Sequence, residues 1–219
     1  MSARICGTAA EAVAEVADGA TVLVGGFGMA GMPVGLVDAL LEQGASELTV
    51  VSNNAGNGDT GLAALLARGR VRKVVCSFPR QSDSWVFDDL YRSGRVELEL
   101  VPQGNLAERM RAAGAGIGAF FTPTGAGTQL AEGKETREID GRTHVLEHPI
   151  RGDVALIAAH RADRKGNLTY RKTARNFGPV MATAARHTVV QVGQVVEVGT
   201  LDPESVVTPG IYVDRVVSL

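Results

Sequence analysis

Short runs of β-branched and aliphatic residues alternate with stretches of helical periodicity along the first half of the chain. The strand-like runs are TVLVG at 21–25, ELTVVS at 47–52, RKVVCSF at 72–78 and ELELVP at 97–102. The helical stretches are 8–17, 34–43, 60–68, 83–93 and 104–113. This alternation predicts an α/β fold with a largely parallel sheet flanked by helices.

The pattern changes after residue 131, where Asp140-Gly141 separates two β-capable arms. An Asp-Gly pair in that setting predicts a two-residue hairpin, and therefore an antiparallel excursion from the parallel sheet. Further strands are predicted at 153–160, 187–192 and 211–217, with a helix at 179–186. Since no repeat, low-complexity tract or linker interrupts the pattern, we predict a single domain over 1–219.

Composition narrows the function. The chain has 219 residues, with 22 Lys and Arg against 24 Asp and Glu, so its formal net charge is −2. That balance is typical of a globular protein and argues against nucleic-acid binding, which requires a positive excess. Glycines and a proline break both uncharged stretches, 20–37 and 112–131, so neither is expected to span a membrane. Cys6 and Cys76 lie far apart, which favours reduced thiols and a cytoplasmic location.

A glycine-rich segment follows the first predicted strand. Gly26-Phe27-Gly28-Met29-Ala30-Gly31 has the G-x-G-x-x-G spacing of dinucleotide sites. Such a site runs directly into a helix and has an acid about 20 residues further on. Here Pro33 delays the helix, and the next strand ends in Ser52-Asn53-Asn54. Three interpretations stay open: a dinucleotide site, a structural turn, or bare backbone amides for another ligand.

Two other strand ends carry neutral amides. Asn53 and Asn54 follow the second strand, and Gln103 follows the fourth, after Pro102. The carboxyl ends of parallel strands are where α/β folds bind ligands, and a Gln amide there can donate to a developing oxyanion. Each residue type is also common in turns and caps, so neither cluster is decisive by itself.

Other candidate groups are weaker. His144 and His148 share a hairpin arm, where their spacing separates them by about 13 Å, so no metal site is predicted. Cys76 lies in an apolar run, which favours packing over nucleophilic chemistry. A basic set between 161 and 175 has the charge to attract phosphate, although a solvated surface explains most of it. Its members are Arg161, Arg164, Lys165, Arg171, Lys172 and Arg175.

Taken together, these segments resemble the alpha subunit of family I 3-oxoacid CoA-transferases. The resemblance begins with DG-x-x-VLVGGFG-x-x-G-x-P at 18–33 and covers essentially the whole chain. It continues through SNNAGN (52–57), VPQGNLAERMRAAGAG (101–116), FTPTGAGT (121–128), EGKETREIDG (132–141) and NLTYRKTARNFGP (167–179). VRKVVCSFPRQSD at 71–83 is most similar to the branch that uses 3-oxoadipate.

The resemblance implies ping-pong covalent catalysis by a glutamate that forms a glutamyl-CoA thioester. In this family the glutamate belongs to the beta half, in a Ser-Glu-Asn/Asp-Gly-type motif that this sequence lacks. The resemblance therefore implies half of an enzyme, active only with a beta subunit in a heterodimer or heterotetramer. The coenzyme A thioester is then a substrate, with succinyl-CoA as donor and a 3-oxoacid as acceptor, and no cofactor is permanently bound.

The resemblance also implies roles for individual residues. Gln103 corresponds to the side-chain donor of the oxyanion hole, and Asn53 and Asn54 to an asparagine pair lining the same pocket. Arg80 stands where the acetoacetate-using branch has an uncharged segment, so we expect it to bind the far carboxylate of 3-oxoadipate. The glycine loop corresponds to a CoA-binding segment, or packs against the partner; its residues are Gly25, Gly26, Phe27, Gly28, Met29, Ala30 and Gly31.

Two alternatives remain at this stage. Within the enzyme class, acetoacetate or another 3-oxoacid replaces 3-oxoadipate as acceptor. In a different class, the chain is a ligand-sensing domain, because the same superfamily fold resembles sugar-phosphate isomerases and effector-binding domains of regulators. The combination of GGFG, NNAG and PQG at three strand ends favours the transferase, since a sensor has no evident need for all three.

Overall fold

A computed structural model describes residues 3–219. Within them, a nine-stranded sheet forms the centre of the molecule, with eight strands in the order β1-β12-β11-β9-β2-β3-β4-β5 and β10 beside β9. Every pair along that order is parallel, and only β10 is antiparallel. The strands are β1 Arg4–Cys6, β2 Thr21–Val24, β3 Leu48–Val51, β4 Val71–Cys76, β5 Glu97–Leu100, β9 Gly152–Asp163, β10 Leu168–Thr169, β11 Ala185–Val196 and β12 Arg215–Ser218.

Helices cover both faces of this sheet. They are α1 Ala9–Val13, α2 Val34–Gln43, α3 Leu62–Ala67, α4 Trp85–Arg92, α5 Gln103–Gly114 and α6 Gly178–Ala184. Helix α2 ends where predicted, because Gly44 adopts the left-handed conformation (φ 97°) that stops a helix. The predicted α/β class with a largely parallel sheet is confirmed.

Strand alternation divides the core into two clusters. Val22 and Val24 of β2 pack with residues of α1 to α4 on one face, whereas Leu23 packs with α5 and α6 on the other. Because successive strand side chains point to opposite faces, β2 is apolar throughout and is buried on both sides. This double burial holds the strand ends rigidly, and those ends carry the candidate site.

The hairpin excursion is also present. Strands β6 Phe120–Thr122, β7 Thr136–Ile139 and β8 Arg142–Glu147 form a small antiparallel sheet in the order β6-β8-β7. Asp140 and Gly141 join β7 to β8 with φ values of 50° and 72°. Both residues are left-handed, as a two-residue hairpin turn requires.

Several predicted boundaries differ from the structure. The helix predicted at 8–17 ends at Val13, and the strand predicted at 211–217 begins only at Arg215, after a 3-10 turn over Gly210–Tyr212. Strands β1, β6 and β10 were not predicted, because runs of two or three residues are too short to show alternation. Across residues 3–219, no helix is both long and apolar enough to cross a membrane.

Candidate functional site

Sheet order brings four strand ends together. Strands β2, β3, β4 and β5 are consecutive and parallel, so their carboxyl ends lie along one edge. The glycine loop leaves β2, Asn53 follows β3, Ser77 follows β4, and Gln103 follows β5. The topology therefore places the sequence-predicted polar residues side by side, at the edge where parallel sheets bind ligands.

Three of these side chains form one hydrogen-bonded cluster. Gln103 Nε2 donates to Asn53 Oδ1 at 2.6 Å, and Ser77 Oγ donates to the same oxygen at 2.9 Å. With Oδ1 accepting both bonds, the Asn53 amino group has no partner among the described residues and is left to donate to a bound molecule. Ser77 was not singled out from the sequence.

Backbone geometry fixes this cluster. The Asn53 carbonyl accepts hydrogen bonds from the amides of Ser77 and Phe78, at 3.3 and 3.0 Å, which ties the end of β3 to the end of β4. Gln103 is the first residue of α5, directly after Pro102, whose ring restricts φ. Leu106 and Met110 of the same helix are fully buried. Gln103 therefore projects from an immobile helix start.

The cluster lines an open cleft of about 690 Å³, here called the amide cleft. Phe27 and Phe78 supply apolar walls and are more than half exposed. The volume lies within the usual range for a small-molecule site. Gln81 also lines the cleft, although the only signal for it was its place in the distinctive segment 78–81. The lining residues are Phe27, Gly28, Asn53, Ser77, Phe78, Gln81 and Gln103.

Asn54 has a different role from Asn53. Its side chain is 2 % exposed, and its Oδ1 accepts a hydrogen bond from the Gly56 amide at 2.9 Å. A Cβ on Gly56, where φ is 90°, would overlap the backbone of Ala63. The second asparagine of the predicted pair therefore shapes the tight turn behind Asn53 and is not among the residues that line the amide cleft.

The glycine loop is a small projecting hairpin. The Phe27 and Ala30 amides donate to each other's carbonyls at 3.0 and 3.2 Å, and Gly28 takes a φ of 58° in the turn. Met29 lies at the tip and is 71 % exposed. Helix α2 begins only at Val34. This geometry differs from a dinucleotide fingerprint, in which the glycines open directly into a helix.

The loop is attached to a turn distant in sequence. Asn176 accepts from the Gly26 amide at 3.1 Å and donates to the Ala30 carbonyl at 2.8 Å. A Cβ on Gly31, where φ is 73°, would overlap the carbonyl of Ala174. Gly31 is therefore a glycine because another backbone passes against it. The segment 167–179 belonged to the sequence resemblance, but no sequence pattern indicated a role for Asn176.

Arg80 pairs with helix α4. Its Nε donates to Asp88 Oδ1 at 2.6 Å, and its side chain is 55 % exposed. Its neighbours Phe78 and Gln81 line the amide cleft, whereas Arg80 itself is not among the lining residues. The structure thus puts Arg80 beside the cleft with one of its guanidinium nitrogens already engaged.

The remaining sequence candidates lie outside the cleft. Cys76 is fully buried, and burial raises the pKa of its thiol to about 12, which suits packing. His144 lies in β8 and His148 just beyond its end. Within residues 3–219, no group of three or more His, Cys, Asp or Glu side chains is placed to hold a metal ion.

A buried ion network lies behind α5, and no sequence pattern revealed it. Glu147, with a side chain 4 % exposed, accepts from Lys134 Nζ at 2.8 Å. Arg109 of α5 lies beside Glu147 and donates to Glu99 at 2.8 Å. Burial raises the pKa of Glu99, but hydrogen bonds from Lys73 and Arg109 outweigh it and leave that pKa below its ordinary value. The network fastens α5, and hence Gln103, to β5 and β8.

Comparison with known proteins agrees with this geometry. Residues 7–219 match the sequence profile of the family described as coenzyme A transferase. Over 210 residues the chain is 69 % identical to the alpha subunit of 3-oxoadipate CoA-transferase from Pseudomonas putida, covering 96 % of this chain and 91 % of that protein. It is 48 % identical to the alpha subunit of a probable succinyl-CoA:3-ketoacid coenzyme A transferase from Bacillus subtilis, covering 98 % and 89 %.

Solved structures give the same fold. The apoenzyme of an acyl-CoA transferase from Escherichia coli O157:H7 superposes with a TM-score of 0.86 at 25 % identity. The match covers 100 % of this chain but 47 % of the other, so the chain spans about half the length of that relative. Glutaconate coenzyme A-transferase from Acidaminococcus fermentans shares the fold, with a TM-score of 0.86 at 22 % identity over 99 % of this chain and 75 % of that one. The family match over nearly the whole chain and these likenesses agree: the chain belongs to the coenzyme A transferase family.

Proposed function

We propose that this chain, as a single domain over 1–219, is the alpha subunit of a transferase that moves CoA from succinyl-CoA to 3-oxoadipate. The observation that carries the proposal is the amide cleft, in which Asn53 and Gln103 present neutral donors between two aromatic walls. Neutral donors suit a reaction in which negative charge develops on a carbonyl oxygen and then disappears.

The proposed chemistry follows the order of bond changes in a carboxylate-for-thiolate exchange. A glutamate carboxylate adds to the succinyl-CoA carbonyl, and the CoA thiolate leaves as the mixed anhydride forms. The thiolate then adds to the glutamyl carbonyl, which gives glutamyl-CoA and releases succinate. The 3-oxoadipate carboxylate repeats these steps in reverse and leaves as 3-oxoadipyl-CoA, with the glutamate restored.

Each addition passes through a tetrahedral intermediate with a charged oxygen. Gln103 keeps one amide hydrogen beyond the hydrogen bond to Asn53, and the Asn53 amino group has no partner in the described chain. We assign these two groups to the oxyanion. Their preorganisation by Ser77 and by the start of α5 means that little reorganisation accompanies the reaction.

The nucleophilic glutamate belongs to a beta subunit in this proposal. Amides, a hydroxyl, a glycine and phenyl rings line the amide cleft, and none of these can form an acyl anhydride. The long E. coli relative, of which this chain matches 47 %, supports a second half carried on another polypeptide. The active form is then a cytoplasmic heterodimer or heterotetramer, with the CoA thioester as substrate.

The acceptor is proposed from the relatives. Proteins 69 % and 62 % identical to this chain are named as alpha subunits of 3-oxoadipate CoA-transferase. Acetoacetate or another 3-oxoacid is the second candidate, because a relative at 48 % identity is named for 3-ketoacids in general. The segment 78–81 borders the cleft through Phe78 and Gln81, so it lies where it can distinguish the two acceptors.

Co-expression with a beta subunit carrying the Ser-Glu-Asn/Asp-Gly-type motif tests the proposal. The assay follows loss of the succinyl-CoA thioester on addition of 3-oxoadipate, with acetoacetate as the parallel acceptor. We expect kcat/KM to be higher for 3-oxoadipate. A preference for acetoacetate would support the second candidate, and no loss of the thioester with either acceptor would overturn the transferase assignment.

A further inference from the structure

A second cleft adjoins the first. It has a volume of about 590 Å³, and Phe27 lines both. We call it the basic cleft, because Lys172 and Arg175 are among its lining residues and neither lining set contains a carboxylate. The residues that line it are Phe27, Ala30, Lys172, Thr173, Arg175 and Asn176. The two clefts therefore form neighbouring compartments on either side of one exposed phenyl ring.

The two cations of the basic cleft lack counter-charges in the described part of the chain. Lys172 and Arg175 are both exposed, and no carboxylate of residues 3–219 forms an ion pair with either. Arg164, in the same basic stretch, instead pairs with Glu197 at 2.6 Å. Two unpaired positive charges at one end of a cleft produce a local potential that attracts an anion.

These cations stand on a fixed platform. Lys172 has a φ of 51°, a left-handed backbone that is uncommon for a residue with a side chain. Asn176 hydrogen-bonds this turn to the glycine loop at both Gly26 and Ala30, and Gly31 packs directly on Ala174. The glycine loop and the basic turn therefore form one unit, with Phe27 between the two clefts.

We propose that the basic cleft binds the phosphate groups of coenzyme A, through Lys172 and Arg175. The inference rests on the proposed function and locates the donor within it. A CoA thioester is long, with its acyl carbon at one end and its phosphates at the other. With the carbonyl at Asn53 and Gln103, the pantetheine arm crosses Phe27 and the phosphates reach the basic cleft.

This arrangement gives the glycine loop a different role from a phosphate cradle. The Gly26, Phe27 and Ala30 amides already donate within the chain. Side-chain cations on the neighbouring turn therefore supply the charge, and the loop supplies a floor and an aromatic divider. Both side chains bind phosphate in proteins, Arg through its planar fork and Lys as a point charge.

The test compares two donors in the assembled alpha–beta enzyme. Succinyl-CoA carries the phosphates, whereas the succinyl thioester of pantetheine lacks all of them. For Lys172→Ala/Arg175→Ala we expect kcat/KM to fall roughly 5- to 30-fold for succinyl-CoA, since exposed charge-assisted contacts are individually modest. The value for the pantetheine thioester should stay unchanged. Arg171→Ala is the matched control, because Arg171 is exposed on the same turn but does not line the basic cleft.

Three outcomes would overturn the inference: equal losses for both donors, no loss for either, or failure of the double variant to assemble with the beta subunit. The last would mean that the two cations bind the partner. Calorimetric titration of the assembled complex with CoA and with pantetheine provides a readout independent of turnover. If the wild type transfers nothing but binds CoA through these cations, the proposed function fails and the basic cleft stands.

Discussion

Two strand-to-helix junctions reach the same cleft in contrasting ways. Between β2 and α2 the chain runs through a long glycine-rich hairpin, whereas between β5 and α5 it passes only Val101 and Pro102. The long junction contributes an exposed ring, Phe27, and is held from outside by Asn176. The short junction contributes one polar side chain, Gln103, and is held from inside by the buried face of its helix.

The contrast shows that glycine content and chemical function are separate in this fold. The glycine loop has the more recognisable sequence, yet its backbone is largely committed to its own turn and to the segment 172–176. Gln103 is a single residue of ordinary type, made useful by the rigid start of a helix and a neighbouring asparagine. We therefore expect the short junction to control turnover and the long one to control structure and donor binding.

Activity should suffer most from a change at the short junction. Gln103→Ala should lower kcat by roughly 10²-fold or more in the assembled enzyme, because losing one preorganised oxyanion donor typically costs about 2.7–4 kcal/mol. Steady-state kinetics with a size-exclusion check on assembly measure this. A change confined to KM would mean that Gln103 binds substrate and transition state equally.

At the long junction, Gly31→Ala should lower stability. The left-handed φ of 73° costs about 1 kcal/mol for alanine, and the overlap with Ala174 should add about 1–3 kcal/mol. Gly28→Ala is the matched control, since Gly28 has a similar φ of 58° but nothing within 4 Å of an added Cβ. Denaturant unfolding of both variants isolates the packing contribution. Equal losses would show that the loop does not depend on the basic turn.

Arg80 tests whether specificity belongs to the rim of the amide cleft. Arg80→Ala should lower kcat/KM for 3-oxoadipate by roughly 10-fold, near the lower end for a charge-assisted contact, and acetoacetate should be affected much less. Arg92→Ala is the control, because Arg92 also approaches Asp88, at 3.9 Å. Parallel losses for both acceptors in Arg80→Ala would assign Arg80 to structure or to the shared donor.

Ser77 should contribute least to turnover. Ser77→Ala removes one of the two hydrogen bonds to Asn53 Oδ1 and should lower kcat about 5-fold. The decisive comparison is a double-mutant cycle with Asn53→Ala. If Ser77 acts by orienting Asn53, its loss should cost little more once Asn53 is gone. Fully additive effects would instead mean that Ser77 contacts the substrate itself.

The sequence predicted the architecture of the site better than its contacts. Regular alternation predicted the strand ends, and parallel pairing then brought Asn53 and Gln103 to one edge. Sequence could not reveal that Asn176 binds a loop 150 residues earlier in the chain, because that contact follows no local periodicity. The same is true of the ion network around Arg109 and Glu147, whose members come from three separate elements.

In the proposed function, this chain supplies the oxyanion donors while a beta subunit supplies the nucleophile. To test that division, the chain, the beta subunit or their mixture is incubated with succinyl-CoA, the thioester is reduced with borohydride, and the modified residue is located by peptide mass spectrometry. We predict modification only in the mixture, at a glutamate of the beta chain, together with transferase activity that neither chain shows alone. Modification of any glutamate in this chain, or activity of this chain by itself, would contradict the division.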